Sequence, residues 1–289
     1  MPYQYCCLTK RSVPELYQTF IEAFSDYELN MSDMTQESLL NRALKNGIDF
    51  GSSVGAYDNG KMVGFTMVGV DHREGVLCAF DIGTGIIKPY RGKGMAKEMF
   101  RYAVPILKEK GVRKFVLEVL QENQPAIRAY QKTGFIIVRE FDCFELNFDK
   151  ARFHINEVAL IEIRPIDKEE LELCEGFLDW QPSWETSFAS IKRIPDKVFL
   201  FGARYRGELA GLLVYYPALN WVMCIAVKKP CRRRGIATML VKHLRDHFRD
   251  KVSSVKLINV QHSDKGTIRF LKRVGFEVYV KQYEMELNL

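Results

Sequence analysis

The chain contains one pattern twice, and this repeat decides the fold. Lys88–Phe100 reads KPYRGKGMAKEMF and Lys228–Leu240 reads KKPCRRRGIATML, so both stretches share the skeleton P-x-R-x-x-G-x-A. The two skeletons are 141 residues apart, and so are the Gly-Phe pairs that begin at Gly134 and Gly275. A constant offset over this distance indicates an ungapped internal duplication.

The length agrees with two copies of one domain. A chain of 289 residues is about twice the usual domain size. Its hydrophobic content of 47% and charged content of 27% are ordinary for a globular protein. The net charge of +6 is too mild to indicate nucleic-acid binding by itself. We predict domains at 1–148 and 157–289, because the stretch Asn147–Val158 is polar and weakly patterned.

The seven cysteines and the amino terminus favour a cytoplasmic protein. The cysteine number is odd, and the sequence has neither a C-x-x-C pattern nor a Cys/His spacing that suits zinc. Free thiols of this kind are typical of a reducing compartment. The first residues, MPYQYCCLTKR, lack the basic and apolar regions of a signal peptide. We therefore expect a cytoplasmic chain without a metal site.

One stretch is long and apolar enough to be considered as a membrane span. Leu209–Val227 reads LAGLLVYYPALNWVMCIAV and contains no charged residue. Pro217 and Asn220 interrupt it, however, and its Val, Tyr and Trp content is typical of strands. We predict two buried strands joined by a turn, and no membrane contact.

The hydrophobic spacing predicts the same order of elements in both copies. Each copy begins with a strand and polar-faced helices, and strands with tight turns then lead to the Pro-x-Arg motif. An amphipathic helix, a further strand, a short helix and a hairpin follow. The predicted strands include Tyr5–Thr9, Lys114–Leu120, Leu160–Arg164 and Val255–Val260, and the predicted helices include Ser12–Tyr27, Thr35–Asn46 and Lys168–Trp180. This order predicts an α/β fold with a mixed sheet in each copy.

The repeated motif has the features of an anion site. The first turn of a helix has backbone N–H groups without acceptors and carries partial positive charge. Gly92 and Gly94 let the backbone approach a ligand, and Ala96 leaves the helix start uncrowded. Arg91 and Lys93 add positive charge. In the second copy the equivalent residues are Arg232, Arg233, Arg234, Gly235, Ile236 and Ala237.

The motif resembles the coenzyme A pyrophosphate loop of GNAT-type N-acetyltransferases. The downstream block Phe115–Phe135, FVLEVLQENQPAIRAYQKTGF, is similar to that superfamily's run of strand, Asn, helix, Tyr and Gly-Phe. The resemblance covers nearly the whole chain as a tandem, most clearly over Val63–Phe144 and Ala210–Tyr283. One departure is that Pro89 and Pro230 stand two residues before the Arg, where the family more often has three. The resemblance implies two GNAT domains, with acetyl-CoA as co-substrate.

The resemblance also implies which residues of the first copy bind coenzyme A. They are Ile86, Ile87, Lys88, Arg91, Gly92, Lys93, Gly94, Met95, Ala96, Asn123 and Tyr130. In the family, a backbone N–H on the strand before the loop stabilises the oxyanion, and the matching position is Ile86. Asn123 matches a coenzyme-contacting Asn, with a simple helix N-cap as the alternative.

Acetyl transfer to an amine needs a base and an acid. An alkylammonium has a pKa of about 10.4, so a proton must be removed before the nitrogen can attack. Glu118, in a buried strand, is a candidate base, and a structural, hydrogen-bonded Glu is an equal alternative. The resemblance assigns the acid to Tyr130, with a packed aromatic ring as the alternative. Weaker acidic candidates are Asp81, Asp26, Glu28 and Asp33.

The second copy lacks the polar side chains that correspond to Glu118, Asn123 and Tyr130. At the 141-residue offset, Asp264 replaces the Asn, Leu271 replaces the Tyr and Asn259 replaces the Glu. A leucine cannot protonate a thiolate, and Asp264 is unfavourable near a phosphorylated ligand. We expect the second domain to be catalytically impaired, with a phosphate loop that either still binds coenzyme A or only supports the first domain.

The sequence therefore predicts an acetyl-CoA-dependent N-acetyltransferase whose first domain transfers the acetyl group directly. The acceptor is a primary amine on a small molecule or a peptide, and a homodimer is compatible with the sequence. A non-catalytic acyl-CoA sensor or scaffold is the alternative. Nucleic-acid binding through Arg232–Arg234 is disfavoured because no aromatic residues alternate with the arginines. His243 and His247 lack the H-E-x-x-H pattern of a zinc site.

Overall fold

The computed structural model describes residues 3–26, 34–154 and 160–289. It divides into two compact units, each with its own core. The first unit comprises Met1–Val138 and Glu284–Leu289, and the second comprises Arg139–Tyr283. These units differ from the predicted domains 1–148 and 157–289, because each includes a strand segment from the other copy. The two sequence-domain bounds stay a prediction.

The first unit is a mixed sheet with helices. Its strands lie in the order β1-β2-β3-β4-β5, and the end of β12 follows β5. The elements are β1 (Gln4–Cys7), α1 (Val13–Ala23), α2 (Gln36–Lys45), β2 (Val54–Asp58), β3 (Lys61–Arg73), β4 (Val76–Ile86), α3 (Met95–Glu109), β5 (Lys114–Leu120) and α4 (Gln124–Lys132). The predicted strand at Lys114–Leu120 is therefore confirmed, and α1 is shorter than predicted.

Local sequence explains where these elements begin and turn. Asn59 and Gly60 join β2 to β3 with positive φ values of 49° and 81°, which is the geometry of a tight hairpin. Thr35 caps α2 by accepting a hydrogen bond from the Ser38 N–H at 3.1 Å. Helix α3 continues through Pro105, and its buried face consists of Met95, Met99, Ala103 and Leu107 at intervals of four residues.

Strands β4 and β5 pair over only a short distance. Their parallel pairing covers Cys78–Phe80 against Lys114–Val116. On the other side of β4, the register against β3 shifts between Met67 and Val68. A shift of this kind bends the strand and increases its twist. The strands β4 and β5 therefore separate after Phe80, and the repeated loop follows at the end of β4.

The second unit repeats this plan, with shorter helices after its first strand. Its strand order is β6-β11-β10-β9-β8-β7, with the first part of β12 beside β6. The elements are β6 (Ile136–Asn147), β7 (Ile161–Pro165), α5 (Lys168–Leu173), α6 (Phe188–Lys192), β8 (Phe199–Tyr205), β9 (Glu208–Tyr216), β10 (Trp221–Val227), α7 (Ile236–Phe248), β11 (Ser254–Gln261), α8 (Lys265–Val274) and β12 (Glu277–Asn288). The helix predicted over Lys168–Trp180 ends as an α-helix at Leu173 and continues as a short 3₁₀ turn over Cys174–Phe177.

The apolar stretch Leu209–Val227 forms two strands, as predicted. A 3₁₀ turn at Pro217–Leu219 joins β9 to β10, and Asn220 adopts a left-handed φ of 54° at its end. Within the described ranges 3–26, 34–154 and 160–289, no helix is long and apolar enough to cross a membrane.

The end of β12 is an integral part of the first unit. Met285 is fully buried there. The buried carboxylate of Glu284 accepts hydrogen bonds from Arg73 at 3.1 and 3.4 Å. Lys114 donates to Glu286 at 2.9 Å, and the N–H of Leu289 donates to Arg113 O at 2.9 Å. The first unit is therefore completed by residues that lie 146 positions or more beyond Val138.

Candidate functional site

The first repeated loop has the backbone geometry of an anion site. After a 3₁₀ turn at Lys88–Tyr90, Gly92 and Gly94 adopt left-handed φ values of 75° and 78°. Helix α3 then begins at Met95. Of the residues that the structure describes, none accepts a hydrogen bond from the backbone N–H groups of residues 92–97. These groups therefore provide donors for an anionic ligand at a helix N-terminus.

The side chain of Arg91 holds this loop against the neighbouring elements. Its Nε donates to Ile86 O at 3.0 Å, and Nη2 donates to Ala23 O at 2.6 Å. Both terminal nitrogens also donate to the Asp26 carboxylate, at 2.8 and 2.7 Å. The hydrogen bonds from Arg91 lower the pKa of Asp26. The geometry thus gives Arg91 the task of fixing the loop to the end of α1, while its phosphate contact stays a prediction.

The other predicted basic residues are more open. Lys88 is exposed, with its Nζ 3.9 Å from Asp26. The Nζ of Lys93 lies 5.1 Å from the centre of the Tyr90 ring. Charged side chains of this kind can turn toward a ligand at the loop because solvent surrounds them.

The backbone of Ile86 points toward the gap between β4 and β5. The N–H of the next residue, Ile87, donates to Val63 O on β3 at 3.1 Å. In an antiparallel pair, successive N–H groups point to opposite sides of the strand. The N–H of Ile86 therefore faces away from β3, where a thioester oxygen in the gap could accept from it.

Tyr130 and Asp81 meet at this gap. The hydroxyl of Tyr130 on α4 donates to Asp81 Oδ2 at 3.3 Å, and Asp81 is the first residue of β4 beyond the paired segment. Thr84 donates to both carboxylate oxygens, at 3.1 and 3.0 Å. The Thr84 hydroxyl also contacts that of Thr66 at 3.1 Å. The sequence named Asp81 only as a weaker candidate, since its contact with Tyr130 joins residues 49 positions apart.

Burial has a large effect on Asp81. It raises the pKa of this carboxyl group from 3.8 to about 6, although the hydrogen bonds from Thr84 and Tyr130 act in the opposite direction. A group with a pKa in this range changes its charge near neutral pH, which is frequent at functional sites.

Two predicted residues lie near the same gap. Asn123 is the N-cap of α4, and its side-chain oxygen accepts from the Ala126 N–H at 3.2 Å. The capping alternative is therefore present in the structure, and coenzyme contact stays a prediction. Glu118 lies half-buried on β5, two residues beyond the paired Val116. Of the weaker acidic candidates, Glu28 and Asp33 lie outside the described residues.

The second repeated loop reproduces the first. Gly235 has a left-handed φ of 82° before α7, and Arg233 has a φ of 67° at the position of Gly92. The guanidinium of Arg232 donates to Val227 O at 2.9 Å and to Phe177 O at 3.0 Å. It also pairs with Asp179. The same anchoring pattern therefore occurs in both copies.

A cavity of about 760 Å³ lies against the second loop. It is lined by loop residues from Arg232 to Ala237 and by Trp180, Asp264 and Phe270. The Trp180 indole N–H donates to Asp264 Oδ2 at 3.0 Å. A space of this size lies within the usual range for small-molecule sites.

The polar positions of the second copy have structural partners. Asp264 is the N-cap of α8 and accepts from the Thr267 N–H at 3.0 Å, and Leu271 is fully buried in the core. Asn259 is also fully buried, has a positive φ of 57° and donates to Ser183 Oγ at 2.9 Å. The catalytic impairment of the second copy stays a prediction.

The histidines predicted not to bind metal pack against aromatic rings. The ring centre of His243 lies 4.9 Å from that of Phe201, and that of His247 lies 4.6 Å from that of Phe248. Outside the stretches 1–2, 27–33 and 155–159, no group of three or more His, Cys, Asp or Glu side chains could hold a metal ion.

Each unit thus combines a mixed sheet with an anion-binding type of loop, and together they define the tandem acyltransferase class of fold. The chain belongs to the acetyltransferase (GNAT) family, whose model matches residues 13–135 and 163–276. These two regions include both repeated loops and both Gly-Phe pairs. The predicted family, tandem organisation and fold class are confirmed.

Relatives and solved structures agree with this assignment. The chain is 29% identical over 93 residues to N-alpha-acetyltransferase 30 of Schizosaccharomyces pombe, which is 32% of this chain and 62% of the relative. It is 32% identical over 93 residues to N-alpha-acetyltransferase MAK3 of Arabidopsis thaliana, covering 32% of this chain and 48% of the relative. The chain thus spans less than two thirds of either relative.

The structural similarity extends over the whole chain. A tandem GNAT protein from the clavulanic acid biosynthesis pathway aligns with a TM-score of 0.74 and 13% identity, covering 99% of this chain and 98% of that one. A GCN5-related N-acetyltransferase from Sphaerobacter thermophilus aligns with a TM-score of 0.75 and 17% identity, covering 99% and 95%. At these identities the similarity establishes the fold.

Proposed function

We propose that the first unit is an acetyl-CoA-dependent N-acetyltransferase that transfers the acetyl group directly to a primary amine. The observation that carries this proposal is the position of two features at one gap in the sheet. The loop with free N–H groups follows the end of β4, and the hydroxyl of Tyr130 reaches the point where β4 and β5 separate. A ligand with a diphosphate at one end and a thioester at the other would place the diphosphate at the loop and the thioester near Tyr130.

The proposed roles follow from this placement. The loop Arg91–Ala96 binds the pyrophosphate through the backbone N–H groups of Gly92–Ala96, with Lys88 and Lys93 adding charge. The N–H of Ile86 stabilises the oxyanion that forms when the amine attacks the thioester carbonyl. Glu118, or water, removes the proton from the amine, and Tyr130 protonates the leaving thiolate.

The acceptor proposal uses the relatives only as a guide. Three of the matched relatives are named as N-alpha-acetyltransferases, and another, 35% identical over 83 residues, is a streptothricin acetyltransferase of Streptomyces lavendulae. We therefore propose peptides with a free α-amino group as the first acceptors to test, followed by amino sugars, polyamines and free amino acids. The cytoplasmic location and a homodimer stay predictions.

For the second unit we propose a non-catalytic coenzyme A site. Its loop and the cavity of about 760 Å³ provide space and donors for the phosphates, but Leu271 provides no acid. The alternative is that this unit only supports the first, in which case the cavity stays empty during turnover.

The test combines calorimetry with a transfer assay. The full chain is titrated with acetyl-CoA, and the titration is repeated with Gly94→Glu and Gly235→Glu, which place a negative charge at each phosphate loop. We expect two binding sites, each lost in its own variant. Loss of the only site in Gly94→Glu would support the alternative for the second unit.

The transfer assay measures release of the coenzyme A thiol with the amine panel. We expect transfer by the wild type and by Gly235→Glu, and none by Gly94→Glu. A double variant, Glu118→Gln with Tyr130→Phe, should lose at least about a hundredfold in kcat. Binding of acetyl-CoA without transfer to any amine would contradict the proposal and favour a sensor or scaffold. Full activity of the double variant would refute the two roles.

A further inference from the structure

Asp81 lies on the opposite face of the sheet from Glu118. Phe80 and Val116 are paired in the parallel register of β4 and β5, so their side chains share one face. Side chains alternate along a strand, which puts Glu118 on the face of Val116 and Asp81 on the other. The two carboxyl groups therefore flank the gap from different sides, and the Asp81 carboxylate accepts a hydrogen bond from the Tyr130 hydroxyl.

The surroundings of Asp81 disfavour its negative charge. Groups from three elements act in the opposite direction and favour the charge: the Tyr130 hydroxyl from α4, the Thr84 hydroxyl and the Gly83 N–H from β4, and the positive charge of Arg42 from α2. Burial outweighs them and raises the pKa of Asp81 to about 6. Thioester and coenzyme in the gap would exclude further water and add negative charge, and both effects raise this pKa again.

Proton donation by Tyr130 would create a phenolate 3.3 Å from Asp81. Two adjacent oxyanions in a partly buried site repel each other, which favours keeping one proton between them. If Asp81 is ionised, Tyr130 is a poor acid, because its loss of a proton puts two negative charges together. If Asp81 is neutral, its proton can pass to the phenolate as it forms.

We infer that Asp81 is the positioning residue of Tyr130, and that Tyr130 can protonate the leaving thiolate only while Asp81 is neutral. This inference rests on the proposed function of the first unit. It adds the Asp81 carboxyl group to the groups that control protonation of the thiolate. The Thr84 hydroxyl holds this carboxyl group in place by contacting both of its oxygens.

The protons balance over one turnover. The attacking ammonium loses one proton through Glu118 or water to solvent and a second to solvent as the amide forms, while the carbon–sulfur bond breaks. The thiolate takes the Tyr130 proton, the phenolate takes the Asp81 proton, and Asp81 takes one from solvent before the next turnover. The net products are the amide, the free thiol and one released proton.

The experiment compares the pH dependence of kcat for the wild type and for Asp81→Asn. Both are saturated with acetyl-CoA and with the panel amine of highest wild-type rate, so that titration of the amine cancels in the ratio of the two rates. Because an ionised Asp81 blocks Tyr130, the ratio of wild-type to variant kcat should be constant at low pH and fall about tenfold per pH unit once the pH exceeds the pKa of Asp81 in the saturated enzyme. A merely structural role of Asp81 would lower kcat by the same factor at every pH.

A second variant tests whether Asp81 acts through Tyr130. In a Tyr130→Phe background, Asp81→Asn should change kcat less than twofold at any pH, because no proton then passes through the pair. Asp58→Asn is the matched control, since Asp58 also accepts a hydrogen bond from a tyrosine, Tyr90, at 2.8 Å on the surface of the unit. It should leave the pH profile unchanged.

The outcomes separate the two proposals. A wild type that transfers acetyl groups with a pH-independent ratio to Asp81→Asn overturns the inference and leaves the enzyme assignment intact. An additive effect of Asp81→Asn in the Tyr130→Phe background also overturns it. A wild type that transfers to no amine at any pH overturns both.

Discussion

Arg91→Lys should weaken acetyl-CoA binding although it keeps the positive charge. The guanidinium of Arg91 bonds to three groups at once, Ile86 O, Ala23 O and the Asp26 carboxylate. A lysine has one terminal nitrogen and cannot replace this planar fork. The loop would then lose its attachment to α1 and present its N–H groups less well to the phosphates.

The size of the effect follows from the bonds that are lost. Each hydrogen bond to a backbone carbonyl contributes about 1 kcal/mol, and lysine can keep no more than one of the two. The solvent-exposed ion pair with Asp26 is left out of this sum. If the hydrogen bonds that hold the loop in place lose about 1–2 kcal/mol, acetyl-CoA binding becomes roughly 5- to 30-fold weaker.

Calorimetric titration with acetyl-CoA measures this change, and Asp26→Asn decides its cause. If Arg91 acts by holding the loop through the two carbonyl groups, Asp26→Asn leaves acetyl-CoA binding nearly unchanged, because the solvent-exposed ion pair contributes little. If Arg91 instead binds phosphate directly, Asp26→Asn releases the guanidinium and strengthens binding, and that result would refute the reasoning. Arg232→Lys is the matched control, because it disturbs the equivalent anchor of the second loop alone.

Two further predictions concern the free energy of unfolding. Tryptophan fluorescence reports on the second unit, because all three tryptophans lie at residues 180–221. Met285→Ala should cost the first unit about 2–5 kcal/mol, since it empties a fully buried site, while the tryptophan unfolding transition in urea stays in place. If Met285→Ala shifted the tryptophan transition by as much as it destabilised the first unit, the assignment of Met285 to the first unit would be wrong. Arg233→Gly should stabilise the second unit by up to about 1 kcal/mol, and Gly92→Ala should destabilise the first by a similar amount, because both positions have a left-handed φ. Tryptophan-monitored melting and activity-monitored melting test these signs, and a lower midpoint for Arg233→Gly would argue against backbone strain.

The regular elements around the repeat could be predicted because local patterns determine them. The turn residues Asn59 and Gly60, the interruption at Pro217 and the apolar spacing of α3 each act within a few residues. The backbone geometry of the first repeated loop could also be predicted, since its glycines and its helix start are adjacent in sequence. For the geometry the sequence and the structure agree, and phosphate binding by the loop stays a prediction.

The contacts that sequence did not predict join distant residues. Tyr130 and Asp81 are 49 positions apart, and Arg91 and Asp26 are 65 positions apart. No local pattern distinguishes an arginine that anchors a loop from one that binds phosphate. The helix predicted over Lys168–Trp180 is longer than the observed α5 for another reason. This polar stretch buries few residues, so helix propensity alone was a weak guide to the length of the helix.

The assignment of Glu284–Leu289 to the first unit has a consequence for synthesis of the chain. Domains usually fold in order as they leave the ribosome, at about 5–20 residues per second. Here the sheet of the first unit lacks one strand until residue 289 has been made, roughly 8–30 s after Val138. During that interval the open edge of β5 is a pairing site for any other strand, so a nascent chain needs protection at this edge until its own strand arrives.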